Sequence, residues 1–526
     1  MPVDCTVAPV DMAAVITGDE FLSPKRLRAG DVSEFIAEGS DVDYINDYLT
    51  EMHPGAGLHC QVMEGKGRTL ISHRTYGIGD VIFVEAPLHI VCEDDSDCDY
   101  EKIKGLCEDD GDMDYEALWY WCAVRSLTDR DLPSSSSIPS VSSETQKRLL
   151  LLHKPEITEV SESVRRVVQA CGLEGCDQLL EELLQIWIHN CFEYQETPTG
   201  YSTYFAPAFM SHSCLPNAGW VNDPEGNFVL KARLPIERGD EVCVSYLSEE
   251  ALLDCTRARV DDLNTTKGFV CTCPRCTAEE DPSRVFACPS CSVGDVVFPS
   301  DAPLLSDGKE AIDAFNRLPV CLRCGKELSA ERFFLYLKSE GRLAAVLKGL
   351  ESKDITRHNA GEFMDAGQAK QLRKLSKAVT NDHHGTAAKV LHILADYYIY
   401  VKEFSEAIKC LDIYLDFCVR AYDGLNGAHS WALEEKADIL LEQATYQVLA
   451  QRNPTRFASL SSQATRRMFF YGSFSAKEIE QLSSCGILET YQKAAEELKL
   501  LFGFWHEYHT KVNEKIIKVQ RRLTSL

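Results

Sequence analysis

Phe209-Met210-Ser211-His212-Ser213-Cys214-Leu215-Pro216-Asn217, then Gly239-Asp240-Glu241-Val242-Cys243-Val244-Ser245-Tyr246, then Phe269-Val270-Cys271-Thr272-Cys273-Pro274-Arg275-Cys276, are the segments on which the fold of this chain turns. A lone cysteine follows a His-Ser pair, a tyrosine closes a strand-like run, and a Cys-x-Cys-x-x-Cys cluster comes last. Three thiolates leave a tetrahedral zinc site one ligand short. Cys214 is the natural fourth ligand. A metal shared by Cys214, Cys271, Cys273 and Cys276 would clip the cluster back onto the His-Ser-Cys turn and close a pocket beneath it.

A second set lies just downstream. Cys288-Pro289-Ser290-Cys291 and Cys321-Leu322-Arg323-Cys324-Gly325 are two Cys-x-x-Cys knuckles. Four thiolates in two knuckles make a closed site, which is structural and has no open position for catalysis. Two structural zinc ions are therefore expected. The chain has 22 cysteines and is too large to need disulfide staples. With several of them in metal-ligand spacing, this points to a reducing intracellular compartment, cytoplasm or nucleus.

Upstream, the pattern alternates like strands. Gly65-Lys66-Gly67-Arg68 leads into Thr69-Leu70-Ile71-Ser72, and Ile78-Gly79-Asp80 turns into Val81-Ile82-Phe83-Val84-Glu85. Trp220-Val221-Asn222 and Phe228-Val229-Leu230 flank a hairpin turn at Asp223 to Asn227. Asp41 to Met52 reads as a short helix ending before His53-Pro54-Gly55. Between the strand regions lies an insert. Its acidic stretch, Glu93 to Asp114, reads as a solvated loop, with a substrate dock as the alternative. A Ser-rich loop follows at Pro133 to Ser143, then a helical stretch from Ser161 to Ile188. Beyond about residue 331 the chain is helical. His392 to Cys418 reads as one tetratricopeptide unit, with Leu391, Ala395, Tyr398, Phe404, Ala407 and Leu411 at its packing positions; the alternative is an ordinary amphipathic helix pair.

At 526 residues, 45% hydrophobic and 26% charged, the chain has the composition of a soluble protein of several domains. No run approaches eighteen apolar residues, so no membrane partner is expected. Val7 to Ile16 is fairly apolar, but Asp11 interrupts it and no basic region precedes it, which reads against a secretory signal. The net charge of −27 argues against direct nucleic-acid binding. It suits a basic protein segment, although it serves solubility equally well.

The order of these motifs resembles the SET-domain protein-lysine methyltransferases, and among them the SET/MYND (SMYD) group. That group reads Asn-His-Ser-Cys-x-Pro-Asn, a strand ending in Tyr, then Phe-x-Cys-x-Cys-x-x-Cys. Residues 211–217, 246 and 269–276 match with one change, Ser211 for Asn. The resemblance implies an α+β fold: a β-rich SET domain with a helical insert, zinc-bound post-SET segments, and an α-helical, tetratricopeptide-like C-terminal domain. The expected division is 1–58, an N-terminal segment; 59–91 and 186–248, the two parts of the SET domain; 92–185, the insert; 249–280, the post-SET zinc segment; 281–330, the paired knuckle; and 331–526, the helical domain. Cys92, Cys98, Cys107 and Cys122 lack the paired spacing of a MYND finger, so none is expected.

The resemblance further implies transfer of a methyl group from S-adenosylmethionine to a lysine of a histone or another protein, with the helical domain binding protein partners. Gly67, Arg68 and Asn190 would face the methionine end of the cofactor. Ser211 and His212 would hold the adenine by their backbone, and Phe269 would stack on it. Tyr246 would touch both cofactor and amine as the catalytic phenol. Tyr204 matches a pocket tyrosine. Two departures matter. Thr69 stands where the family has glycine. Lys267 stands where the family has a second channel tyrosine, which Tyr201 or Tyr204 would have to replace. An ammonium in the channel would repel a lysine substrate, so the alternative is a catalytically weak SET scaffold that binds partners.

Overall fold

The computed structural model describes residues 39–109, 113–304, 318–379, 383–453, 455 and 460–524. The apolar Val7–Ile16 stretch and most of the 1–58 segment lie outside these residues. Two compact units form: one takes the chain to His212 and again over Pro216–Val244, the other takes Ser213–Leu215 and everything from Ser245 onward.

The first unit is built of short strands: β1 (Leu58–Met63), β2 (Gly67–Ser72), β3 (Val81–Glu85), β4 (His89–Cys92), β5 (Cys191–Glu196), β6 (Thr199–Thr203), β7 (Ser211–His212), β8 (Ala218–Asn222), β9 (Phe228–Ala232) and β10 (Cys243–Val244). β1 and β2 form an antiparallel hairpin whose turn has Gly65 at φ +72° and Gly67 at φ +73°. L-residues rarely adopt that left-handed backbone, which is why glycine stands there. β2 buries Thr69, Leu70, Ile71 and Ser72, and its second edge takes Asp240–Val242 through Val242 N–H to the Leu70 carbonyl at 2.8 Å. β3-β9-β8 and β4-β6-β5 are three-stranded antiparallel sheets, while β10 runs parallel to β7 with Cys243 beside Ser211.

The insert is helical at Cys98–Asp109, Ala117–Val124, Ser143–Leu150, Glu162–Cys171 and Asp177–Asn190. The acidic stretch read as a loop is thus a helix in its middle. Tyr100 and Ile103, three residues apart, are buried and anchor one face while Glu101 and Glu108 are exposed. Asp97 Oδ1 accepts from the N–H groups of Asp99 and Tyr100 and starts the helix. The expected Ser161–Ile188 helix is two, because Gly172 ends the first in the left-handed conformation. Ser161 and Ser142 cap their helices through hydroxyls that accept from Val164 and Thr145. The core of this unit includes the fully buried Trp121 and Trp187. Trp187 donates its indole N–H to Ser126 Oγ at 2.8 Å.

A buried carboxylate aims the chain toward Ser211. Glu85 accepts from the Phe205 N–H at 2.6 Å and the Ala206 N–H at 3.2 Å, and His53 Nε2 lies 2.9 Å away. The short 3-10 turn Ala206–Phe209 starts on these amides and delivers Met210 and Ser211. Negative charge at exposed helix amides is favourable, and here it replaces water for a group buried at 5% exposure.

The second unit pairs β11 (Glu280–Ala287) with β12 (Asp295–Pro299) in an antiparallel hairpin. Long helices follow, among them Ala330–Glu351, Gly385–Tyr400, Phe404–Ala421, Gly427–Arg452 and Ile487–Phe502. Leu391, Ala395, Phe404, Ala407 and Leu411 are buried in one cluster, with Tyr398 partly buried against it. A buried ion pair lies among them, with a histidine beside it. Arg284 on β11 grips Glu340 of the first long helix at 2.9 and 2.6 Å, and His384 Nε2 sits 2.9 Å from the same carboxylate. No helix among the described residues is long and apolar enough to cross a membrane.

Candidate functional site

The cysteines bring two four-thiol clusters together. Cys214, Cys271, Cys273 and Cys276 lie with their sulfurs within 4.8 Å of one another, as do Cys288, Cys291, Cys321 and Cys324. A tetrahedral zinc with bonds of about 2.3 Å requires sulfur separations of about 3.8 Å. The Cys288–Cys324 and Cys291–Cys321 separations are both 3.8 Å, and Cys214–Cys276 is 3.4 Å. Both donor sets therefore fit zinc.

The surroundings fit as well. The Cys321 sulfur accepts from the Cys324 N–H, which pulls its thiol down to about 7, toward the thiolate a metal needs. Buried Arg259 donates to Cys276 Sγ at 3.8 Å and offsets the negative charge of the first cluster. Arg275, between two ligands, donates to the carbonyls of Cys214, Leu252 and Ala421 and so ties the cysteine segment to the helices. Gly294 is required by space: a Cβ there would stand 2.6 Å from Cys321 Sγ. Sequence reading had singled out neither arginine, and nothing in their spacing marks them.

In the first unit the motif residues converge by other means. Asn217 donates from Nδ2 to the Glu241 carbonyl at 2.8 Å and accepts at Oδ1 from the Cys243 N–H at 2.9 Å. One amide thus staples the Leu-Pro-Asn turn to the strand that leads to Tyr246. Glu241 places Oε1 2.5 Å from Ser211 Oγ and Oε2 2.5 Å from Lys66 Nζ. The Arg68 guanidinium lies over the Phe209 ring, 5.0 Å from its centroid, and burial lowers its pKa. Gly67 has nothing within 4 Å of an added Cβ, so that side of the hairpin backbone is uncovered. His212 is buried on β7. Thr69 points inward and is fully buried, its hydroxyl 3.5 Å from the Gln61 carbonyl.

Three other candidates are buried in this unit. Asn190 donates from Nδ2 to the carbonyls of His153 and Ile186 at 2.7 and 2.8 Å, which commits its nitrogen to the helix end. Tyr204 is fully buried among Phe192 and Phe228, donates to the Gly226 carbonyl at 2.8 Å and accepts from Asn222. Tyr201 stacks on Trp119 with ring centroids 4.5 Å apart. In the second unit, Tyr246 meets Phe269 edge to face at 6.3 Å and remains 42% exposed, so its phenol is not core filling. Lys267 is the last residue of the helix Thr256–Lys267, which Gly268 ends at φ +74°.

Comparison with known proteins follows the same residues. Residues 67–247 match the SET domain family. A Gallus gallus protein named protein-lysine N-trimethyltransferase SMYD5 is 30% identical over 132 residues, 23% of this chain and 31% of that protein. A Dictyostelium discoideum SET and MYND domain-containing protein is 37% identical over 101 residues, 19% of this chain and 22% of its own length. The chain thus spans under a third of the length of the curated relatives it matches, with 31% covered in the first. The solved structure of Rubisco LSMT bound to AdoMet aligns over 73% of this chain and 94% of its own at 13% identity, with a TM-score of 0.27, too low to support an argument. The hairpin, the Ser-His-Ser-Cys-Leu-Pro-Asn turn and the Asn217-stapled strand are the parts that the match to the SET domain spans, and over them this chain is similar to the SET/MYND proteins.

Proposed function

We propose that this chain is an S-adenosylmethionine-dependent protein-lysine N-methyltransferase. The observation that supports it is the SET domain over 67–247, with Tyr246 at its end and a four-thiol set after it. The Gallus gallus relative is named for the same activity class. The cofactor, when bound, supplies a methyl group on a sulfonium centre. The chain's residues have to hold it, hold the amine in line with it and exclude water. Gly67, Arg68, Asn190, Ser211, His212 and Phe269 are the proposed cofactor contacts. Tyr246 orients the amine, and an apolar approach lowers the amine's pKa so that its lone pair is free. The two zinc ions are structural, the substrate is a lysine in a basic, histone-like or other protein segment, and the helical region is a tetratricopeptide-like partner surface. The work is intracellular, in cytoplasm or nucleus. Lys267 favours a second reading, a SET scaffold with poor catalysis.

The test is Tyr246→Phe in the full chain. Methyl transfer to protein substrates should fall about 10²-fold, while calorimetric binding of S-adenosylhomocysteine stays within about twofold of the parent. A variant that transfers methyl as fast as the parent removes Tyr246 from catalysis. A parent that neither binds the cofactor product nor labels any protein removes the enzyme reading.

A further inference from the structure

The Lys66–Glu241–Ser211 contact has no part in the scheme above. We infer that Glu241 is a positioning residue of the cofactor site: its carboxylate latches the Lys66–Arg68 hairpin tip to the Ser211–His212 strand, and Ser211 supplies the donor that completes the latch. This rests on the cofactor reading just given.

Each end of the latch is fixed differently. Glu241 is anchored by its backbone, since its carbonyl accepts from Asn217 Nδ2 and it bridges Ile71. Its side chain is 16% exposed. The hairpin tip is far less confined. Lys66 sits between Gly65 and Gly67, and at neither glycine does anything lie within 4 Å of an added Cβ. The ion pair at 2.5 Å therefore ties the tip down at Lys66, beside the Arg68–Phe209 contact. On the other carboxylate oxygen the Ser211 hydroxyl donates at 2.5 Å, with Cys243 Sγ 3.4 Å away. A serine hydroxyl and an asparagine amide can both donate to a carboxylate. Ser211, a departure from the family's asparagine, thus keeps the one property this contact needs.

The energetics separate this role from plain structure. An ion pair with one partly exposed partner contributes little to global stability and is screened by salt. It does restrict the residues next to it. If Gly67 and Arg68 meet the cofactor, a loose tip has to be ordered on binding, and affinity falls by that cost.

The experiment uses the full chain, S-adenosylhomocysteine as probe, and hydrogen exchange of the 63–68 amides without ligand. Lys66→Met and Glu241→Gln should each weaken binding about three- to tenfold, and the double variant should be no worse than either alone. Ser211→Ala should weaken binding, and Ser211→Asn should restore it. Exchange at the hairpin should quicken in both Lys66→Met and Glu241→Gln, with the unfolding midpoint moved by no more than about 2 °C. Between about 0.05 and 0.5 M salt, parent affinity should fall and that of Lys66→Met should not. Additive losses, or unchanged hairpin exchange, overturn the latch. If the parent binds the probe and the variants bind equally well, the latch alone fails. If the parent does not bind it, the cofactor reading fails and this role with it.

Discussion

Glu340→Gln is expected to weaken the second unit by about 3 to 4 kcal/mol at neutral pH and to flatten its acid sensitivity. Glu340 is 3% exposed, and it accepts two hydrogen bonds from Arg284, which is fully buried. Desolvation pushes its carboxyl up, but the Arg284 charge and the His384 hydrogen bond outweigh it and hold the group at about 2, against an ordinary 4.5. At about 1.4 kcal/mol per pH unit this difference is worth about 3 to 4 kcal/mol. Removing one partner of a buried pair costs about 3–5 kcal/mol by the independent route of leaving a charge unpaired. The two figures agree. Because the folded-state pKa is depressed, the contribution is complete above about 4.5 and is lost as pH falls through about 2. Hydrogen exchange of the Ala330–Glu351 helix, read as a local opening free energy from pH 7 down to about 3, is the assay. The parent should lose protection below about 4.5, and the variant should start lower and change less. A change under about 0.5 kcal/mol at pH 7, with the parent's pH dependence intact, would refute the argument. Replacing both Arg284 and Glu340 with apolar residues should cost less than the single change.

Metal analysis of the purified chain should give about two zinc ions per molecule. Cys214→Ser should lose one, and Gly294→Ala should lose the other because its methyl meets Cys321 Sγ; full occupancy in either variant contradicts the assignment. Tyr204→Phe should cost about 1 kcal/mol of stability through the lost bond to Gly226 while leaving methyl transfer near the parent rate. A large loss of transfer at unchanged stability would instead put its hydroxyl in the substrate path. Lys267→Tyr should raise the transfer rate if the lysine repels the substrate, and an unchanged rate removes that objection to catalysis.

The sequence alone was enough to locate the two cysteine sets, the hairpin glycines and the order of motifs that leads to the SET family. These are local properties. A Cys-x-x-Cys turn or a left-handed glycine is determined by residues a few positions apart, so spacing carries the information. Ser211, His212, Cys214 and Tyr246 could be named for the same reason, as members of short ordered motifs. Burial and partnership are not local. Tyr204 and Tyr201 look alike as candidates in sequence, and only the packing of β6 against Phe228 and Trp119 shows their rings inside the core. The acidic stretch at Glu93 to Asp114 reads as solvent-facing until Tyr100 and Ile103 find a core to bury against. Asn217, Glu241, Arg259 and Glu340 act on partners that the chain brings back from elsewhere in the sequence. Which carboxylate meets which cation is decided by the fold, because in a low-dielectric interior a buried charge is tolerated only beside its counter-charge.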